Sequence, residues 1–190
     1  MKKSKKEQLR LVATYLHEKQ LSDNKAPANT LAEGNIVAYF DGACEPKNPG
    51  GNMGIGATIR CNGKEVFTHS QFVKAGPRNS NNVAEYMAFE SILDFILKNA
   101  WQKRSFTIYG DSKLVINQMF STWKMNGGFY IPFALRCKEK IKQVREAGNR
   151  INGIWIRREQ NGYADELSKA ELINNNVEFR IQPLSMDHSK

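Results

Sequence analysis

The sequence predicts an α/β fold in which a five-stranded mixed sheet, three antiparallel strands followed by two parallel ones, is flanked by helices. Three observations carry that expectation. Three β-favouring runs follow one another within about 40 residues, too closely for crossover helices, so they form an antiparallel meander. Helical and strand-like periods then alternate to the end of the domain, as parallel strands require. The second and third runs are separated by Asn62-Gly63, a pair suited to a tight hairpin.

The elements follow in order. IVAYF (36–40) is an apolar run without alternation, which predicts a strand buried on both faces. MGIGATIRC (53–61) and EVFTHSQFV (65–73) complete the meander. Residues 80–100 form a long helix, with Ser80 as N-cap and Ala84, Ala88, Ile92, Phe95 and Ile96 on one face. SFTIYGD (105–111) is a short strand ending in an acid, and SKLVINQMF continues from it as a helix. Residues 131–148 form another helix, with Pro132 in its first turn and Gly148 past its end. Its apolar stripe is Ala134, Cys137, Ile141 and Val144; Lys138, Lys140, Lys142 and Arg145 are expected outside. INGIWIRR (151–158) is the fifth strand and NGYADELSKAELI (161–173) the last helix.

Three segments are expected: residues 1–34, the domain at 35–175 and a tail at 176–190. The first contains a short helix over 5–21, with Leu9, Val12 and Leu16 at helical spacing, then a polar Pro-containing linker. It carries seven Lys/Arg against four acids, a surplus of +3 out of the net +9 of the 190 residues. A pI near 9.5 favours a polyanionic partner, nucleic acid before anionic membrane. No run approaches the length needed to span a bilayer, and no apolar core follows the basic N-terminus as in a secretory signal. Cys44, Cys61 and Cys137 are odd in number and lack CxxC spacing. They predict reduced thiols and a cytoplasmic protein without a zinc site.

Four acids stand at the ends of these elements. Asp41 follows the first strand, Asp111 ends the fourth, and Glu85 and Asp165 lie in the opening turns of the first and last long helices. If the first and fourth strands are neighbours, their aspartates meet beyond one edge of the sheet, where α/β proteins bind ligands. Such a cluster repels itself unless divalent cations neutralise it, and an all-carboxylate set suits Mg²⁺ or Mn²⁺. Taken singly, each acid also fits a turn, a helix cap or a favourable place in a helix dipole.

FDGACEPKNPGG, SNNVAEY, YGDS and NGYADELSK, in that order across residues 36–173, resemble the type 1 ribonuclease H family. The resemblance implies the ribonuclease H-like fold and hydrolysis of the RNA strand of RNA/DNA hybrids, leaving 5′-phosphate and 3′-hydroxyl ends. It implies two Mg²⁺ ions, with Mn²⁺ as a substitute, held by Asp41, Glu85, Asp111 and Asp165 as the catalytic set. Asp41 would bridge them. Substrate contacts implied by the same motifs are Gly42, Cys44, Asn48, Asn81 and Asn82 on the RNA side. Gln118, Trp123 and Lys124 are the candidates for the DNA side, with core packing an equal reading for Trp123 and backbone positioning the reading for Cys44. A monomer is expected.

The sequence departs from the family's pattern twice. STWKMNGGFY (121–130) passes directly into the next helix, where many members carry a long basic insertion, so the compact form is expected. The stretch before Asp165 contains no histidine, leaving Arg157, Arg158 or Glu159 as electrostatic substitutes. Two alternatives stand beside the hybrid endoribonuclease: a nuclease of the same fold acting on other duplexes, and a nucleic-acid-binding module without catalysis.

Overall fold

The computed structural model describes residues 36–180. The expected helix over 5–21, its linker and the tail beyond residue 180 lie outside the described residues. The strands are β1 (Ile36–Glu45), β2 (Asn52–Cys61), β3 (Lys64–Val73), β4 (Ser105–Gly110) and β5 (Arg150–Trp155). The helices are α1 (Asn81–Lys98), α2 (Lys113–Phe120), α3 (Ile131–Glu146) and α4 (Gly162–Asn174), with a 3₁₀ turn at Arg158–Gln160 before the last. The sheet order is β3-β2-β1-β4-β5. Its first three strands are antiparallel, and β4 and β5 run parallel to β1. This is the mixed five-stranded sheet that the element order predicts.

Local chemistry explains the boundaries. Asn62 and Gly63 both have positive φ, at 51° and 76°, as the tight β2–β3 hairpin demands. Ser80 caps α1 by accepting from Val83 N at 3.3 Å, and Ser112 caps α2 by accepting from Val115 N at 3.4 Å. The buried residues of α1 pack on the sheet face made by Ile36, Ala38, Phe40, Ile55, Ala57 and Ile59, and those of α3 join the same core against α1 and β5. Glu90 on α1 ties the two helices through Arg136 and Lys140, at 2.7 and 2.8 Å. Lys140 is therefore not the outward-facing residue that its place in the basic run predicts. Burial alone would raise the Glu90 carboxyl, but hydrogen bonds from these two cations outweigh it and hold the group below its ordinary value.

Three expectations are corrected. β1 is not buried on both faces: Ile36, Ala38 and Phe40 are, while Val37 and Tyr39 are half-covered on the side where α4 lies. β1 does not stop at Phe40 but runs on to Glu45 along β2, because only β4 ends there. β5 stops at Trp155, and Arg158 belongs to the 3₁₀ turn.

Candidate active site

The register of the sheet brings the first two acids together. The last rung shared by β1 and β4 pairs Phe40 with Gly110, so Asp41 and Asp111 follow side by side as β4 ends. Gly110 is obligatory beneath them, since a Cβ there would lie 2.4 Å from the Phe40 ring. Glu85 arrives from α1. A Cβ on Gly42 would fall 2.2 Å from Glu85 N and 2.3 Å from the Ala84 carbonyl carbon. The bare glycine lets the start of α1 press against β1 beside Asp41.

Asp41, Glu85 and Asp111 each offer a carboxylate oxygen, and these oxygens all lie within 4.8 Å of one another. Asp41 is buried, at 7% exposure. Burial first, then the charge of Asp111, pushes its carboxyl up to about 6, against the pull of a hydrogen bond from Ser168. Glu85 is raised well above its ordinary value by burial and by Asp41 and Asp111, with Arg158 opposing. Its Oε2 is sealed from solvent and has no hydrogen-bond donor.

A buried carboxylate oxygen without a donor, on an acid clustered with two others, is an arrangement that a divalent cation satisfies. The donors are all hard oxygens, which fits Mg²⁺ or Mn²⁺.

Asp165 stands in the first turn of α4, and its charge still reaches Asp41. It is not one of the three clustered acids. Its oxygens are held by Arg158, at 2.8 Å, and by Lys169 one turn along α4. Lys169 stands at the i,i+4 spacing that sequence shows, whereas the contact from Arg158 depends on the fold.

Two residues that the motif reading did not single out organise the site. Asn161 is buried, and its Nδ2 donates to Phe40 O and to Asp111 Oδ1, both at 2.9 Å. It occupies the N-cap position of α4 without capping the helix through its side chain. An asparagine at a helix start reads as a cap, so nothing in its sequence position signals this use. Ser168 Oγ donates to Asp41 Oδ2 at 2.5 Å. Its spacing of three from Asp165 places both on one face of α4, the only sequence hint available.

The substrate candidates divide. Asn82, Asn48, Trp123 and Lys124 are exposed, Trp123 to 50%, which removes the core-packing reading for the tryptophan. Asn81 N donates to Asn48 Oδ1 at 3.1 Å, fastening the loop after β1 to the start of α1, and Asn81 Oδ1 is buried without a donor. Gln118 is corrected: at 2% exposure it accepts from Tyr86 OH at 2.6 Å and donates to Lys124 O at 2.9 Å, so it supports the 121–130 stretch from within. Gly42 and Cys44 are also buried. Cys44 Sγ donates to Lys47 O and its carbonyl accepts from Arg180, so the thiol is not presented as a contact surface.

The mixed sheet, with Asp41 and Asp111 side by side where β4 ends, is that of a chain whose residues 39–171 match the reverse transcriptase-like family. A ribonuclease H of Francisella tularensis subsp. novicida is 35% identical over 134 residues, covering 63% of this chain and 75% of that protein. The chain belongs to the ribonuclease H family. The bifunctional protein Rv2228c of Mycobacterium tuberculosis is 33% identical over 134 residues, covering 70% of this chain. The chain spans 34% of the length of that relative. The solved LC11-RNase H1 in complex with RNA/DNA hybrid matches with a TM-score of 0.61 at 26% identity, over 75% of this chain and 99% of that one. No helix among the described residues is long and apolar enough to cross a membrane.

Proposed function

We propose that the chain is a metal-dependent endoribonuclease that hydrolyses the RNA strand of RNA/DNA hybrids, leaving 5′-phosphate and 3′-hydroxyl ends. The observation that carries this reading is the trio Asp41, Glu85 and Asp111, each offering a carboxylate oxygen within 4.8 Å of the others, while Glu85 Oε2 is sealed without a donor. The hybrid held by the solved LC11-RNase H1 supports the substrate class.

Asp41, Glu85 and Asp111 would hold the divalent cations, and Asp165 would join them on release from Arg158 and Lys169. Bound Mg²⁺ supplies an activated water and neutralises charge at the scissile phosphate. The chain's own residues do the rest. Asn161 Nδ2 ties the Asp111 carboxylate to the Phe40 carbonyl that precedes Asp41. Asn48, Asn81 and Asn82 present amide groups at the loop-helix junction, where hydrogen bonding to a 2′-hydroxyl would distinguish RNA from DNA. Trp123 and Lys124 present an aromatic face and a cation for the other strand. Arg158, beside Asp165, is the cation nearest the acids in the stretch that lacks histidine. The chain is read as a monomer and as cytoplasmic, the latter reading supported by its three buried free cysteines.

The test is a labelled RNA/DNA hybrid incubated with the full chain and Mg²⁺ or Mn²⁺, beside duplex RNA and duplex DNA. Hybrid cleavage confined to the RNA strand and abolished by Asp41→Asn is expected. Cleavage of another duplex in preference, or of none, would overturn the reading.

A further inference from the structure

The helix α4 lies unusually tight on β2, and the closeness is concentrated at Ser168. A Cβ on Gly54 would fall 1.7 Å from Ser168 O, and one on Gly56 would fall 2.4 Å from Ser168 N and 2.5 Å from Ala164 O. Gly56 is the residue that pairs with Asp41 across the β1–β2 ladder. Ser70 on β3 adds a hydrogen bond to Leu167 O at 2.7 Å. Two glycines and one serine thus hold the turn carrying Ser168 directly over Asp41.

Ser168 is 0% exposed, and its hydroxyl has two acceptors within reach, Asp41 Oδ2 at 2.5 Å and Asp165 O at 3.0 Å. The shorter contact is to the charged acceptor, which is the stronger one. It fixes the plane of the Asp41 carboxylate. Among the described residues no hydrogen bond reaches Asp41 Oδ1, and Asp41 offers a carboxylate oxygen within 4.8 Å of oxygens of Glu85 and Asp111.

We propose that Ser168 is a positioning residue for cation binding: its hydroxyl holds Asp41 Oδ2 so that the other oxygen is presented to a divalent metal. The inference rests on the metal-site reading above and deepens it. Groups that orient metal ligands typically change affinity by 10- to 100-fold when removed. A serine in mid-helix that only filled space would be replaced by alanine without effect on the metal.

The test is calorimetric titration of the full chain with MgCl₂ alone, in the wild type, in Ser168→Ala and in Ser168→Cys, with thermal melts in parallel. Ser168→Ala is expected to weaken Mg²⁺ binding by about tenfold or more in a variant that still melts cooperatively, at a somewhat lower metal-free temperature because Asp41 loses its donor. Binding to RNA/DNA hybrid in EDTA should not change. Mg²⁺ affinity within about twofold of wild type, in a folded variant, would overturn the proposal. Should Ser168→Ala fail to fold, Ser168→Cys decides, since a thiol of similar size donates weakly and is expected to show the same loss. Hybrid cleavage by the wild type is read separately. A chain that binds Mg²⁺ through this arrangement yet cuts no hybrid would overturn the nuclease reading and leave the role of Ser168 standing, whereas a wild type that binds no Mg²⁺ would overturn both.

Discussion

Removing the charge of Asp41 should stabilise the metal-free protein, although the same change should abolish the activity proposed for it. The magnitude follows from the structure. A carboxyl that titrates at 3.8 in the unfolded chain and at about 6 when folded holds its proton more tightly in the folded state. Its ionised form is then more costly in the fold by about 3 kcal/mol, at about 1.4 kcal/mol per tenfold. The sign is the reverse of that for an ion-paired acid. The favourable contribution is complete below pH 3.8 and is lost as pH rises through about 6. Asparagine keeps an acceptor for Ser168 and carries no charge. Stability curves in urea with EDTA, for wild type and Asp41→Asn between pH 4 and pH 8, give the difference directly. The variant should gain on the wild type as pH rises, reaching about 2–3 kcal/mol at pH 8. Magnesium should stabilise the wild type at pH 8 and leave the variant unmoved. A variant less stable than wild type at pH 8 in EDTA, or a difference that does not grow with pH, would refute the claim that this carboxylate is strained by burial and by Asp111.

Four further outcomes follow from neighbouring contacts. Gly42→Ala places a Cβ 2.2 Å from Glu85 N, so it should cost roughly 1–3 kcal/mol in urea unfolding and weaken Mg²⁺ binding as Glu85 is displaced. Gln118→Ala leaves Tyr86 OH and Lys124 O without their partner, and should cost roughly 1–3 kcal/mol and speed amide exchange across 121–130. Glu90→Gln should remove part of the acid sensitivity of folding: the carboxyl of Glu90 is held below its ordinary value, so its contribution is present above pH 4.5 and lost as pH falls through the folded value. Lys169→Met leaves Asp165 with Arg158 alone, and calorimetry should show tighter Mg²⁺ binding in a metal-free protein that is less stable in urea.

The element order was legible because each element declared itself locally. The Asn62-Gly63 hairpin, the Ser80 cap and the period change after residue 80 all depend on neighbours in sequence. The pairing of β1 with β4 was legible only conditionally, through the expectation that Asp41 and Asp111 end adjacent strands. What sequence could not show were contacts made across the fold by residues with an ordinary local use. Asn161 looks like a helix cap and is spent on Phe40 O and Asp111. Gln118 looks like a polar surface residue of a short helix and is enclosed by Tyr86 and Tyr130. The burial of β1 misled for a related reason: an apolar run states what a strand tolerates on each face, while α4 decides how much of the second face is covered.

The same distinction bears on the four acids. Their positions at element ends were visible, but proximity alone does not determine which of them needs a metal. Glu85 has a buried oxygen without a donor, and Asp41 carries a charge made costly by burial and by Asp111; both are relieved by a cation. Asp165 is relieved already, by Arg158 and Lys169. The three acids of the cluster should therefore take up the first cation, and Asp165 can contribute only after exchanging protein cations for metal. Titration with Mg²⁺ should resolve one tighter event that is lost in Glu85→Gln and one weaker event that Lys169→Met strengthens. A single event that responds equally to both substitutions would contradict this ordering of the acids.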